Sequence, residues 1–127
     1  MMLNSRSLYN KVDKFKDLYQ LGPDLILVSE TWERQRKQLK EIIATSQFNT
    51  ISYHREGNRV GGGCAIVYNQ SRFNVQNLNI EAAPGVEAVW ALLTPKVSQP
   101  MCRVKRIAVG SFMSALTQCI KLQQLIT

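Results

Sequence analysis

The sequence has few of the features that mark secreted, membrane or zinc-binding proteins. Its three cysteines, Cys64, Cys102 and Cys119, are odd in number and show no Cys-x-x-Cys spacing, which argues against a disulfide framework and a zinc site. No apolar run reaches the roughly 18 residues that cross a bilayer, and no basic-then-apolar signal segment opens the chain. We expect free, mostly buried thiols in an intracellular chain, nuclear or cytoplasmic, without a membrane partner.

Residues suited to hydrolysis through a covalent enzyme intermediate are also scarce. The chain has one histidine, His54, and no serine in a Gly-x-Ser-x-Gly turn. A serine or cysteine nucleophile would therefore have a single imidazole to activate it. No carboxylate or nucleophile lies at the spacing of a catalytic motif from His54, so we interpret this histidine as a structural or exposed residue.

Acidic residues become rare along the chain. Residues 1–60 carry ten Lys and Arg against seven Asp and Glu, residues 61–127 carry six against two, and the formal net charge is +7. A basic surface favours phosphate-rich partners because binding releases their counterions. Surplus Lys and Arg is equally a common means of keeping a protein soluble. Charge alone therefore does not decide between nucleic-acid binding and solubility.

The hydrophobic pattern predicts one α/β domain in the 127 residues. Residues 8–21 have helical spacing, with Ser7 as N-cap and Gly22 as terminator. Residues 24–29 form a continuous apolar run typical of a strand buried on both faces, and residues 33–45 predict a surface helix. Five strand-like segments follow, at 48–54, 63–68, 72–80, 86–93 and 104–112. The stretch from Phe112 onward fits either a terminal helix or a frayed end.

Two polar residues lie where the first two predicted strands end. Glu30 follows the apolar run, at the position where open α/β sheets place ligands and where a carboxylate can hold a hard cation; a solvated strand-end residue is the alternative. Asn4 ends a short first strand, with turn formation as its alternative role. If the two strands are parallel neighbours, these side chains come together.

The run Gly61-Gly62-Gly63 precedes a strand instead of a helix and lacks the Gly-Lys-Ser/Thr of a phosphate-binding loop. We therefore interpret the three glycines as a site of close packing or a bulge.

Three segments in fixed order carry a family resemblance: Asn4-Ser-Arg-Ser-Leu-Tyr-Asn-Lys11, Pro23-Asp-Leu-Ile-Leu-Val-Ser-Glu-Thr-Trp32 and Arg59-Val-Gly-Gly-Gly-Cys-Ala-Ile-Val-Tyr68. Together they resemble the endonuclease/exonuclease/phosphatase superfamily, in particular the apurinic-type endonuclease domain of non-LTR retrotransposon polyproteins. The likeness covers residues 4–112.

The resemblance implies a magnesium-dependent nucleic-acid phosphodiesterase with a deoxyribonuclease-I-like layered α/β sandwich. Residues 1–112 would form roughly its first half, one mixed sheet covered by helices, and residues 113–127 a divergent tail. Glu30 matches the family's metal-binding glutamate and Asn4 its active-site asparagine. We expect DNA as partner, with Arg6, Lys11 and Arg59 contacting it.

The chain also departs from this family. The Asp-x-Asn and Ser-Asp-His segments are missing, and the last acidic residue is Glu87, so we expect no activity without a second chain or further residues. Half of a sandwich would leave about 400 Å² of apolar sheet uncovered, a loss on the order of 10 kcal/mol, which predicts self-association through that face. The alternative is a non-catalytic basic module whose cations bind nucleic acid: Arg6, Lys11, Arg34, Arg36, Lys37 and Arg59.

Overall fold

Eight strands in two four-stranded sheets form the framework of the described residues. The computed structural model describes residues 1–34, 36–55, 61–81, 84–96, 105–114 and 117–126, the last two ranges as backbone strands. The first sheet has the order β1-β2-β4-β3, with β1 Met2–Asn4, β2 Leu25–Ser29, β3 Phe48–Tyr53 and β4 Cys64–Asn69. The second has β5 Phe73–Leu78, β6 Val86–Pro95, β7 Lys105–Ser114 and β8 Thr117–Ile126 in chain order. The predicted α/β class is confirmed.

The first sheet is mixed. β1 runs parallel to β2, with Asn4 beside Ser29, and β4 is antiparallel to both β2 and β3. The carboxyl ends of β1, β2 and β3 therefore lie at one edge of the sheet, where β4 begins.

Strand β2 is buried on both faces, as its continuous apolar run predicts. Ile26 and Val28 pack into a cluster with the helices, including Phe15 and Leu39. Leu27 points the other way, into a second cluster. This strand, one of the two inner strands of the first sheet, is thereby packed on both faces.

The first predicted helix forms as three consecutive helical segments. A 3₁₀ turn at Tyr9–Lys11 leads into α1, Val12–Asp17, and a second 3₁₀ turn at Leu18–Leu21 ends at Gly22, whose φ of 68° is left-handed. The prediction that Ser7 caps this helix is wrong. Ser7 has a φ of 73°, and its backbone N–H donates to the Glu30 carbonyl at 2.9 Å.

The second helix is shorter than predicted. α2 spans Leu39–Ile43, not residues 33–45, because the Glu33 carboxylate accepts the backbone N–H of Leu39 at 2.8 Å and the preceding chain turns between Arg34 and Lys37. In the part of the chain that the structure describes, no helix is long and apolar enough to cross a membrane.

The second sheet packs against the first. Leu27, Cys64 and Ile66 of the first sheet form one buried cluster with residues of β6: Val89, Ala91 and Leu93. The expectations of a single mixed sheet and of an uncovered inner face are therefore wrong. Self-association through that face loses its physical cause, because β6 already covers these apolar side chains.

The predicted terminal helix after Phe112 is also wrong. β8 pairs with β7 along its whole length, from Ser114 beside Thr117 to Lys105 beside Ile126. In β8, Ile120 and Leu122 alternate with polar residues, a period that suits a strand. The predicted boundary between residues 112 and 113 falls inside β7.

Candidate functional site

The candidate site lies at the edge where β1 and β2 end. Beyond the register that places Asn4 beside Ser29, the chain continues to pair: Ser5 N–H donates to the Ser29 carbonyl at 3.0 Å, and Leu8 N–H donates to the Thr31 carbonyl at 3.1 Å. The predicted adjacency of the two strand ends is present. Residues 29–32, called the strand-end segment below, are held in place from this side.

Glu30 occupies the end of β2 in an unusual state. It is 5% exposed, and its φ of 55° is left-handed, a conformation that costs a non-glycine residue on the order of 1–3 kcal/mol and is concentrated at functional sites. Its Oε2 accepts the indole N–H of Trp32 at 2.7 Å. Its Oε1 is buried and has no hydrogen-bond partner among the described residues. A buried carboxylate oxygen in this state is costly unless something pairs with it.

Two hydroxyl oxygens of the strand-end segment share this condition. Ser29 Oγ and Thr31 Oγ1 are buried and make no hydrogen bond to the described residues. Oxygen ligands suit a hard cation, and Mg²⁺ is commonly held by one or two carboxylates with water completing its shell. In the strand-end segment, the carboxylate of this kind is that of Glu30. Within the described residues, no group of three or more His, Cys, Asp or Glu could hold a metal ion.

Asn4 forms a turn at the end of β1. Its Oδ1 accepts the Arg6 N–H at 3.2 Å, a side-chain-to-backbone bond typical of asparagine turns. Arg6 and Ser7 follow with left-handed φ values of 42° and 73°. The turn-forming role weighed for Asn4 from sequence is thus present, and the turn brings Asn4 to the same edge as Glu30.

The three predicted nucleic-acid contacts differ in their surroundings. Arg6 is exposed at the turn. The Lys11 ammonium donates to the Ser5 carbonyl and, at 3.2 Å, to the Arg6 carbonyl, so it stabilises the turn that follows Asn4. Arg59 lies outside the described residues.

Residues 61–63, called the glycine segment below, pack closely against the strand-end segment. Thr31 N–H donates to the Gly63 carbonyl at 3.3 Å, and Trp32 N–H donates to the Gly62 carbonyl at 2.9 Å. A Cβ on Gly63 would lie 2.5 Å from Thr31 Oγ1. The predicted close packing at these glycines is confirmed.

Sequence reasoning missed two residues that hold the glycine segment, Arg55 and Glu87. Glu87 is 6% exposed; its Oε2 accepts the Gly63 N–H at 2.8 Å, and its Oε1 accepts the Arg55 Nε–H. The sequence carries no signal for this role, because residues 88–93 are apolar on both faces of β6; the inward position of Glu87, on the same face as Val89 and Ala91, is visible only in the structure. A carboxylate in an inward position needs a partner.

A groove of about 490 Å³ opens beside the end of β3. Ser52 and Tyr53 line it from β3, Asn77 from β5 and Trp90 from β6, and Glu30 is not part of its lining. The groove and the strand-end segment are therefore separate features.

No protein-family model, curated protein or solved structure matched this chain. The resemblance therefore rests on the three ordered segments and enters below as a proposal.

Proposed function

We propose that β1 and β2, with Asn4 and Glu30 at their ends, form the metal-binding part of a magnesium-dependent nucleic-acid phosphodiesterase domain, similar to the endonucleases of non-LTR retrotransposons. The observation that carries this proposal is the buried, unpaired Oε1 of Glu30, at the end of a strand beside the parallel strand that ends in Asn4. The order of the three sequence segments supports it further.

Each group at this edge has a definite role in the proposal. A bound divalent cation supplies Lewis-acid polarisation of a phosphate oxygen. Glu30 would hold it through Oε1, while the Trp32 indole fixes Oε2 and thereby the orientation of the carboxylate. Arg6 is exposed in the turn that follows Asn4 and is suited to a phosphate contact.

The proposal assigns binding, not turnover, to these residues. Activation of water and protonation of a leaving group need positioned acid–base groups, and the sequence carries no acidic residue after Glu87. We expect Mg²⁺-dependent association with nucleic acid and no cleavage of nicked, abasic or supercoiled DNA by these residues alone.

Terbium(III) luminescence tests the metal site directly. Terbium takes oxygen ligands and emits when a nearby indole transfers excitation to it, and the Trp32 indole nitrogen lies 2.7 Å from Glu30 Oε2. We expect sensitised emission that Mg²⁺ competes away, that Glu30→Gln and Trp32→Phe abolish, and that Trp90→Phe preserves. Asp24→Asn, which makes the same change of net charge as Glu30→Gln at the opposite end of β2, serves as the matched control.

A second function is favoured by exposed cations near the site. Arg34 and Lys37 are exposed, and Tyr9 joins their backbones because its hydroxyl accepts the Arg34 N–H at 2.8 Å and donates to the Lys37 carbonyl. A basic binding module would show salt-dependent affinity for DNA that is unchanged by Glu30→Gln and needs no Mg²⁺. That result would favour the module and contradict the metal-site proposal.

A further inference from the structure

The Arg55–Glu87 pair joins the two sheets next to the candidate site. Arg55 follows β3 of the first sheet, and Glu87 lies in β6 of the second. Their side chains are 16% and 7% exposed. The Glu87 carboxylate also reaches the first sheet a second time, through the Gly63 N–H at 2.8 Å.

General stability is a poor explanation for this pair. Removing two charges from water costs free energy that their attraction repays only with good geometry, so a buried ion pair often adds little over apolar residues of the same volume. Its neighbours in β6 on the same face, Val89 and Ala91, are apolar and buried. A polar group in this position is better explained by what it orients.

The pair is linked to Glu30 by a short series of hydrogen bonds. Glu87 holds Gly63 N–H, and the Gly63 carbonyl in turn accepts Thr31 N–H. The neighbouring carbonyl, of Gly62, accepts the N–H of Trp32, whose indole donates to Glu30 Oε2. The glycine segment is thus hydrogen-bonded to Glu87 and to the strand-end segment at the same time.

The packing leaves this arrangement little freedom. A Cβ on Gly62 would lie 2.5 Å from Glu87 Oε2, and one on Gly61 would lie 3.8 Å from the Trp32 indole nitrogen and 3.9 Å from Arg55 Nη1. Arg55, Glu87 and Trp32 therefore enclose the glycine segment from two sides. Left-handed φ values of 55° and 53° at Glu30 and Trp32 need such external support.

We infer that Arg55 and Glu87 are positioning residues, which fix the glycine segment and through it the orientation of the Glu30 carboxylate. The identity of the ligand that Glu30 binds rests on the proposed function. The series of hydrogen bonds from Glu87 to Glu30 is independent of that proposal. The two are therefore tested by separate measurements.

The test compares Glu87→Gln with Asp24→Asn. Both substitutions remove one negative charge from an ion pair, but the Arg72–Asp24 pair is exposed, with side chains 65% and 46% accessible. Glu87→Gln keeps an oxygen for the Gly63 N–H while weakening the hold on Arg55. Arg55→Lys is the second variant, because it keeps the charge but loses the planar guanidinium.

Amide hydrogen exchange is the readout that does not depend on a metal. We expect exchange at Thr31 and Trp32 to become faster by about tenfold in Glu87→Gln and Arg55→Lys through local opening, with no change in Asp24→Asn. Unchanged protection at these two amides in both variants would overturn the inference.

Terbium affinity is the second readout. We expect a loss of about tenfold in Glu87→Gln, as for other residues that orient a metal ligand, and none in Asp24→Asn. Affinity equal in the two variants would contradict a role in orienting the ligand. If the wild-type chain shows no emission that depends on Glu30, the proposed function fails, and the exchange data alone decide on the positioning role.

Discussion

Replacement of Gly63 by alanine should destabilise the protein far more than the same replacement at Gly85. The two glycines have nearly equal φ values of 81° and 79°, so the backbone strain from an added Cβ, about 1–2 kcal/mol, is matched. They differ in surroundings: a Cβ at Gly85 meets nothing within 4 Å, whereas one at Gly63 would lie 2.5 Å from Thr31 Oγ1 and 3.1 Å from the Tyr53 carbonyl. Thr31 is fully buried and cannot swing into solvent.

Overpacking of this kind costs typically about 1–3 kcal/mol, so Gly63→Ala should lower the free energy of unfolding by that amount beyond Gly85→Ala. Urea unfolding followed by tryptophan fluorescence and circular dichroism measures the difference. Thr31→Ala should recover part of the loss when combined with Gly63→Ala, because it removes the obstructing oxygen. Equal destabilisation at Gly63 and Gly85, within about 0.5 kcal/mol, would refute the close packing of the glycine segment on the strand-end segment.

Two further predictions concern ionisable side chains. Burial, reinforced by the Glu87 carboxylate, raises the pKa of the Cys64 thiol to about 12, so the folded state holds this proton more tightly than the unfolded chain does. The free energy of unfolding should therefore fall between about pH 9 and pH 12, and it should fall less steeply with pH in Cys64→Ala. An equally steep fall in Cys64→Ala would contradict this prediction. Lys11→Met should lower the free energy of unfolding by about 1 kcal/mol, because the bonds to two backbone carbonyls are lost, whereas Lys14→Met, at an exposed residue of α1, should change it by less than about 0.5 kcal/mol. Equal stability of the two lysine variants in chemical unfolding would show that Lys11 does not hold the turn.

Local patterns predicted the elements better than their assembly. The continuous apolar run of β2 and the glycine-bounded start of β4 are visible in sequence because burial on two faces and close packing each demand particular residue types. The membership of β6 in a second sheet is not visible in this way. Both faces of β6 are apolar in the sequence, since Ala88 and Trp90 alternate with Val89 and Ala91, so the sequence shows neither which face is buried nor which sheet covers it.

The sequence predictions that were wrong failed for local structural reasons. Helix α2 is short because the Glu33 side chain occupies the Leu39 N–H, a bond that helical periodicity does not reveal. The left-handed backbone at Glu30 and Ser7 could not be expected, since non-glycine residues rarely adopt it. The pairing at one edge of Asn4 and Glu30 was predictable, because parallel neighbouring strands end at the same edge. The inward position of Glu87 was not predictable, because the neighbouring residues of β6 are apolar on both faces.

In the proposed function, Glu30 presents a carboxylate oxygen to a hard cation at the end of β2. Anomalous scattering from crystals soaked in Mn²⁺, a stand-in for Mg²⁺, would locate such a cation. We expect a peak about 2.0–2.3 Å from Glu30 Oε1, lost in Glu30→Gln and retained in Asp24→Asn. A map without a peak at Glu30, or with its Oε1 hydrogen-bonded to another protein group instead, would rule out a cation site at Glu30.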